Sequence, residues 1–458
     1  MIKKFSLVYI AGKNGVKKMQ QKIRMPFTKL TFENWQNLII LSIIVFYSVW
    51  LSFAVSKDTI QSGFSGDYLA FWSAGKIADE KGYSQIYNLE NLRSVQLKEL
   101  DKLGLQEKLD ASSYSPLPVA LFPVFVFPFQ ILSKINVQPS YWIWTIINSI
   151  VLIGYLIYFT MKILPGNPDK MREMKLVLLM LISYPVWMNF VEGQVEIPLV
   201  ICAGEFIRQA IEEKPVLSGL WLGGLLLKPQ LLILIIPILL LMHSWKALSG
   251  FILSSSIVVM TSFLLSGFAG MKAMVDLWTR YSAGMATSAP EMMINWRMVG
   301  LNINSVFGTS LGWVIAGLGM LLTLVLVCIL IKGKPSFGSS TWIITMAAVF
   351  SATLAVTWHS HHHMAVVLIP FLIYAYQFKL ISTKIIFAWA TTTAVFFLIF
   401  LVITIFVLTI TKITIPGLAY LVAISGFFLN LLIFNSSLRY LHSKQKFPEA
   451  PFVNNPIS

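Results

Sequence analysis

Residues 66–87 read GDYLAFWSAGKIADEKGYSQIY and combine a lone carboxylate with a run of aromatic side chains beside the first hydrophobic stretch. At helical spacing, Tyr68, Phe71 and Trp72 fall on one face, and polar residues between 73 and 80 fall on another. This pattern is typical of a helix lying flat on a membrane, with its rings toward lipid and its charges toward water. The stretch therefore predicts an interfacial helix within an extracytoplasmic loop.

Asp67 stands at the start of this predicted helix. The backbone N–H groups of a helix start favour the ionised form of a carboxyl group. An ionised carboxylate at the membrane–water boundary is a candidate general base. The same position also suits a helix cap without any catalytic role, and the residues alone leave both interpretations open.

The composition indicates an all-α polytopic integral membrane protein. A soluble domain has about 45–50% apolar and about 25% charged residues, whereas this chain of 458 residues is 56% hydrophobic and 12% charged. The net charge is +15, but eight Lys or Arg and no acid lie within the first thirty residues. That concentration is typical of a cytoplasmic segment that follows the positive-inside rule, and it argues against a nucleic-acid partner.

Hydrophobic stretches long enough for a membrane span predict about twelve transmembrane helices. The clear stretches are 35–55, 141–163, 248–268, 304–331, 341–357, 364–380, 385–410 and 417–434. A longer apolar tract, 176–243, is interrupted by polar residues at three places and predicts four shorter helices. The segment 116–132 contains four prolines, which favours a re-entrant or surface segment, with a true second span as the alternative.

These assignments predict three regions. Residues 1–34 form a basic cytoplasmic segment, 35–434 the transmembrane domain and 435–458 a cytoplasmic tail. Within the domain, 56–112 is the first extracytoplasmic loop and 269–303 a second, larger one. With the N-terminus inside, the polar segments gather at the outer face. They are the Asp67 loop, Tyr114-Ser115-Pro116, Glu192-Gly193-Gln194, Lys228-Pro229, the loop before Asn304 and the run from His359 to His363.

Two of these segments carry polar side chains within apolar sequence. Lys228 lies in GGLLLKPQLLIL, and a lysine within a membrane helix usually faces a cavity and an anion, such as a lipid phosphate. A lysine that reaches the interface from a short helix is the alternative. Glu192 and Gln194 are candidates to bind sugar hydroxyls, while Glu196 is interpreted as part of a solvated turn.

The remaining candidates lie further along the chain. Arg297 beside Trp296 is the preferred pair of its loop, because arginine binds phosphate and tryptophan suits sugars and interfaces. In HSHHH, His359 and His363 would share a helix face. No HExxH pattern or nearby carboxylate supports zinc, so no metal is predicted. One or two histidines, with His359 and His361 as the candidates, are expected to hydrogen-bond a substrate or phosphate.

Short motifs in a fixed order resemble glycosyltransferase family 87 of the GT-C superfamily. They are Gly66-Asp67-Tyr68, Phe71, Ala74-Gly75, Ile86-Tyr87, Tyr114-Ser115-Pro116, Glu192-Gly193-Gln194 and Leu227-Lys228-Pro229. The resemblance covers motifs from about Gly66 to Pro237. The histidine run has no counterpart in this pattern, and Asp58 and Asp79 are further acids of the first loop.

The resemblance implies a GT-C-like transferase that uses a polyprenyl-phosphate sugar, such as polyprenyl-phosphate mannose, at the outer face of the cell inner membrane. It implies Asp67 as the base and Lys228, with Arg297, as cations for the leaving phosphate. Tyr68 and Tyr114 enter the predicted substrate site through their motifs. No cofactor or metal is implied, and the expected partners are membrane lipid, the lipid-linked sugar and a glycan or glycolipid acceptor.

Three other classes of function remain as alternatives. A secondary transporter or lipid flippase would also suit Lys228 and the helix break at Pro229, although the chain shows no internal repeat. A non-catalytic scaffold would use the outer loop to bind a partner. A lipid-linked oligosaccharide ligase or polymerase would be expected to carry larger arginine-rich loops.

Overall fold

The computed structural model describes residues 32–56, 66–102, 114–163, 170–282, 289–411 and 417–446, and within them the chain forms helices and no strand. Most of the predicted basic segment, parts of the first loop and residues 447–458 of the predicted tail lie outside these ranges.

Seventeen α-helices occur in the described ranges. The first nine are α1 Phe32–Ser56, α2 Gly66–Lys81, α3 Leu89–Lys102, α4 Phe127–Leu132, α5 Val137–Ile163, α6 Lys170–Leu181, α7 Tyr184–Glu192, α8 Ile197–Ile211 and α9 Pro215–Leu222. The others are α10 Leu232–Leu241, α11 Trp245–Ser282, α12 Trp296–Phe307, α13 Leu311–Ile331, α14 Ser340–Val356, α15 Ile369–Gln377, α16 Thr383–Thr411 and α17 Gly417–Lys446. Short 3-10 helices cover Tyr83–Gln85, Pro123–Val126, Gly223–Leu227, Pro229–Leu231, Pro290–Met292 and His362–Leu368.

The described part of the chain contains six helices long and apolar enough to cross a membrane, and seven if the bent pair α6–α7 is one span. The six are α1, α5, α11, α13, α16 and α17. The predicted all-α polytopic membrane protein is therefore confirmed. The count of about twelve stays a prediction, because several of the other predicted spans form apolar helices of 10–17 residues.

Three parts of the chain bear on the predicted boundaries. Residues 123–132 form one short apolar helical segment, and its assignment as a re-entrant or surface segment stays a prediction. The predicted loop 269–303 is partly helical, because α11 continues to Ser282 beyond a break at Gly267, where φ is 65°. The last helix continues to Lys446, past the predicted end of the transmembrane domain.

The predicted orientation of α2 on lipid is wrong. Tyr68, Phe71 and Trp72 are buried in the protein. The Phe71 ring stacks on Phe129 of α4 with centroids 5.2 Å apart, and Trp72 Nε1 donates to the Ile135 carbonyl at 3.0 Å. The rings face protein because α4 and α5 cover the side of α2 that a lone amphipathic helix would turn toward lipid. This packing holds the start of α2 against the core.

Helices α9 and α11 cross at backbone contact distance through glycines. A Cβ on Gly219 would collide with the Ala247 carbonyl oxygen, and one on Gly250 with the Val216 carbonyl oxygen. Small residues of this kind allow helices to approach closely within a membrane. The crossing holds α9 in place just before the interruption of the helical path at Lys228.

Gly219→Ala should destabilise the protein by about 1–3 kcal/mol, the usual range for overpacking. Gly154→Ala is the matched control, because a Cβ there meets no atom within 4 Å and Ala is favoured over Gly in a helix by up to about 1 kcal/mol. Thermal unfolding of both purified variants in the same detergent measures the difference. Equal melting temperatures for the two variants would contradict the close approach of α9 and α11 at Gly219.

Candidate active site

One cavity of about 650 Å³ collects polar side chains from distant parts of the chain. Six of the nine predicted site residues line it, namely Asp67, Glu192, Gln194, Lys228, His359 and His361. His363 and Trp358 also line it, and its apolar wall includes Phe71, Ile233, Trp278 and Met292. The structure therefore brings most of the predicted site together.

A tight turn after α7 presents Glu192 and Gln194 to this cavity. Gly193 ends α7 in the left-handed conformation, with φ 66° and ψ 38°, which favours glycine. A Cβ at Gly193 would also lie 2.6 Å from the Tyr68 Cβ. The turn can thus pack directly on α2, and the Gln194 side-chain amide donates a hydrogen bond to Asp67.

Asp67 lies in the first turn of α2 and lines the cavity as a half-buried carboxyl group. Burial raises the pKa of Asp67 above its ordinary value, while His363 and Lys228 act in the opposite direction. A carboxylate with a raised pKa is a stronger proton acceptor than an exposed aspartate. Its position gives it both the cavity access and the basicity that a general base needs.

Lys228 lies where the helical path is broken between two 3-10 segments. Its backbone is non-helical, with φ −138° and ψ 79°, and Pro229 starts the next turn. The ammonium group lies 3.0 Å from Glu196 Oε1 and 3.5 Å from Gln194 Oε1. The break predicted from Pro229 therefore opens a place where a cation is held at the cavity wall.

Glu196 corrects the prediction of a solvated turn, because its side chain has no exposed surface. Its Oε1 lies 3.0 Å from both Lys228 Nζ and His363 Nδ1. Burial raises the pKa of Glu196, but His363 and Lys228 outweigh that effect and bring the pKa to about 2. The sequence could not place this carboxylate, since both of its partners come from distant segments.

Asn189, which sequence analysis missed, ties three segments of the site together. Its side-chain amide donates to the His363 carbonyl at 2.9 Å, and its Oδ1 accepts from the Glu196 backbone N–H at 3.3 Å. The residue is buried in α7. The turn at Glu196 and the histidine run are consequently held to the same helix.

The histidine run is not α-helical where the sequence predicted a shared helix face. His361 is extended, with φ −102° and ψ 169°, and a 3-10 helix begins at His362. Alternate side chains of extended backbone point the same way. The rings of His359, His361 and His363 follow each other at 4.8 and 5.7 Å, and all three line the cavity.

His362 points away from the cavity and packs edge-on against Tyr184, with centroids 5.0 Å apart. Among the cavity histidines, burial lowers the pKa of His359 to about 3, and Lys228, His363 and Arg297 contribute in the same direction. His359 is therefore neutral at physiological pH and can act as a hydrogen-bond donor rather than as a cation.

A family model for glycosyltransferase family 87 matches residues 121–357, a little over half of the chain. The chain belongs to glycosyltransferase family 87. It is a membrane glycosyltransferase, as the order of its motifs predicted. No curated protein matches it.

The matched region of this family 87 protein contains one half of the site and leaves the other half outside. Glu192, Gln194, Glu196 and Lys228 lie within residues 121–357, whereas Asp67 precedes them and the histidine run follows. The fold brings the two halves together, because α2 packs on the Gly193 turn and Asn189 holds His363.

The predicted Trp296–Arg297 pair does not form part of the family 87 protein's cavity wall. Trp296 donates to Thr323 at 3.1 Å and packs against Phe427 with centroids 4.9 Å apart. The buried Arg297 guanidinium instead lies 4.4 Å from the centre of the Trp358 ring. Successive residues of α12 face different sides. Arg297 therefore packs against the cavity residue Trp358 without lining the cavity itself.

Tyr68 and Tyr114 also lie away from the cavity. The Tyr68 hydroxyl is buried and pairs with Ser140 at 2.5 Å, which fastens α2 to α5. The Tyr114 hydroxyl donates to Gln96 at 2.8 Å, which fastens the segment after the first loop to α3. Both tyrosines have structural partners, and neither lines the cavity.

One group of side chains in the described ranges has the donor types of a metal site. Single ligand atoms of Asp67, Glu192 and His363 lie within 4.8 Å of one another. His363 Nε2 faces Glu192 at 3.5 Å, and Lys228 and His363 both contact the Glu196 carboxylate. Protonated His363 and Lys228 would supply positive charge from the protein itself, so the predicted metal-free chemistry remains a hypothesis for this site.

Proposed function

We propose that this family 87 protein transfers a hexose, such as mannose, from a polyprenyl-phosphate donor to a glycan or glycolipid acceptor. The observation that carries the proposal is the Gln194 amide, which bridges the two groups needed. Its N–H donates to Asp67, and its oxygen lies 3.5 Å from Lys228 Nζ. A base and a cation therefore stand on opposite sides of one fixed side chain.

Asp67 would activate the acceptor. An acceptor hydroxyl beside Asp67 gives its proton to the carboxylate as its oxygen forms a bond to the anomeric carbon of the donor sugar. The bond between that carbon and the phosphate oxygen breaks, and its electron pair leaves with the phosphate. A base in this position contributes about 10²–10⁴-fold to a rate.

Lys228 would stabilise the phosphate that leaves. Charge that develops on the departing oxygen is best stabilised by a cation already held in position, and Lys228 is held by Glu196 at 3.0 Å. Neutral His359 and nearby His361 add hydrogen-bond donors along the same wall. The step as proposed uses Lys228 as its cation and includes no metal or cofactor.

The apolar wall of the cavity suits a lipid-linked substrate. Ile233, Trp278 and Met292 line the same space as Asp67 and Lys228, and α11, which carries Trp278, is one of the candidate membrane spans. We expect a prenyl chain to stay in contact with these apolar side chains while its phosphate reaches Lys228.

The site would face the outside of the cell inner membrane. The concentration of basic residues before residue 30 predicts a cytoplasmic N-terminus. One crossing by α1 (Phe32–Ser56) would then bring the start of α2, and with it Asp67, to the extracytoplasmic side. Polyprenyl-phosphate sugar and acceptor would both have to be present on that side.

Sugar transfer in membranes tests the proposal. Membranes with and without the protein are incubated with labelled polyprenyl-phosphate mannose, then with other polyprenyl-phosphate hexoses, and all labelled products are profiled. Label in a new glycan or glycolipid only when the protein is present supports the transferase. Movement of intact donor across the membrane with no covalent product, for every donor sugar, would support a transporter or flippase.

The transfer rate should fall as the pH is lowered. Asp67 must be ionised to accept a proton, and its pKa is raised by burial, so the loss begins at a higher pH than for an exposed aspartate. Below that pKa the rate should fall about tenfold per pH unit. The measurement is kcat from about pH 8 to about pH 4, the range in which carboxyl groups titrate, with thermal unfolding recorded at each pH. A flat profile would contradict Asp67 as the base.

A further inference from the structure

We propose that Glu196 is a positioning residue that holds Lys228 and His363 at the cavity wall with one buried carboxylate. This inference rests on the proposed function and deepens it, because it assigns a role to a residue that touches neither substrate in the scheme above. A single oxygen, Oε1, lies 3.0 Å from Lys228 Nζ and 3.0 Å from His363 Nδ1.

The location of Glu196 argues against a direct catalytic role. Its side chain has no exposed surface and does not line the cavity, whereas Asp67 and Glu192 do. A carboxylate behind the wall cannot take a proton from an acceptor hydroxyl in the cavity. It can act only through the two side chains that it contacts.

The surroundings hold Glu196 rigidly. Its backbone N–H donates to Asn189 Oδ1 at 3.3 Å, and Ile197 begins α8 directly after it. The same Asn189 side chain donates to the His363 carbonyl at 2.9 Å. The backbones of Glu196 and His363 are thereby hydrogen-bonded to the same side chain of α7, which keeps the two residues close to each other.

Charge balance explains why one carboxylate serves two partners. Two neighbouring cations repel each other, and a buried cation without an anion is strongly disfavoured. Glu196 offsets the charge of Lys228, and that of His363 when this ring is protonated, while Gln194 Oε1 lies 3.5 Å from the same ammonium group. His363 Nε2 is left facing Glu192 at 3.5 Å.

Glu196→Gln should lower kcat by about 10–100-fold, because misplacement of a group by about 1 Å can cost that much. Its affinity for undecaprenyl phosphate in lipid nanodiscs should stay equal or rise, since loss of the carboxylate makes the wall more positive. Glu205→Gln is the matched control, because Glu205 is a buried glutamate paired with Arg208 at 2.6 Å, outside the cavity lining. That variant should keep kcat in the folded fraction.

A measurement that does not require enzymatic activity distinguishes this proposal from the proposed function. The imidazole NMR signal of His363, identified by its loss in His363→Gln, should change in Glu196→Gln and stay unchanged in Glu205→Gln. If no donor sugar supports transfer, the proposed function fails, while the NMR signal and undecaprenyl phosphate binding still decide the role of Glu196.

Three results would overturn the proposal. The first is an unchanged His363 signal or kcat in Glu196→Gln. The second is a parallel loss of kcat and of undecaprenyl phosphate binding, which a general structural defect would cause. The third is Mn²⁺ binding that both Asp67→Asn and Glu196→Gln abolish, because a carboxylate behind a histidine can also orient a metal ligand.

Glu196→Asp decides the question if Glu196→Gln does not fold. It keeps the negative charge but withdraws it from Lys228 and His363. The positioning role predicts a lower kcat with nearly unchanged thermal stability. An unchanged kcat in this variant would overturn it.

Discussion

Asp67→Asn should reduce kcat by about 10²–10⁴-fold, the usual contribution of a general base. The amide has nearly the same shape and can still pair with Gln194 after its side chain rotates, but it cannot accept the acceptor's proton. Affinity for the donor should change little, because Asp67 is assigned to the acceptor hydroxyl. The measurement is the initial rate of sugar transfer at saturating donor, with purified protein in lipid nanodiscs.

Asp79→Asn is the matched control for this prediction. It makes the same chemical change on the same helix, but Asp79 is exposed and lies outside the cavity lining. Its transfer rate should stay within about twofold of the unmodified protein, as is usual for exposed sites. Near-normal turnover in Asp67→Asn would remove Asp67 from the mechanism and leave it as a helix-start residue.

Lys228→Met should reduce kcat by about 10²–10³-fold, which is the effect of removing one group that stabilises transition-state charge. Methionine keeps most of the volume of the side chain but not its charge, so the leaving phosphate loses its closest fixed cation. Unlike Asp67→Asn, this change should also weaken binding of undecaprenyl phosphate. Rate and binding measured on the same preparation test both statements.

The loss of Lys228 also leaves Glu196 with one partner fewer, and breaking a buried pair can destabilise a protein by about 3–5 kcal/mol. The double variant Lys228→Met with Glu196→Gln removes both charges and should recover part of the thermal stability without recovering the rate. Lys76→Met is the control, because Lys76 forms a part-exposed pair with Glu80 at 3.2 Å. Recovery of the rate in the double variant would show that the lysine acts only through folding.

The local sequence predicted those site residues that lie where an apolar stretch is interrupted. Lys228 precedes a proline, and Glu192 and Gln194 flank a glycine, so each marks a place where a helix must end. Asp67 marks the start of a helix. These features are local, and the structure places all four residues in one cavity.

Long-range contacts explain what sequence analysis assigned wrongly. Glu196 is only two residues from Gln194, but its burial depends on Lys228 and His363, which arrive from other segments. Tyr68 and Trp296 have the residue types of a sugar site, yet each finds a structural hydrogen-bond partner instead. An aromatic ring can pack in a hydrophobic core as well as against a ligand, and sequence spacing alone does not distinguish the two roles.

The sequence by itself determined the class of the protein, because long apolar runs, a basic start and an ordered set of short motifs need no contact information to be recognised. It also determined where several helices must end. Only the tertiary structure decided which side chains face the cavity, since that depends on packing between helices far apart in sequence. The close approach of Gly193 to α2 and the link from Asn189 to His363 bring Asp67, Lys228 and the histidines to one place.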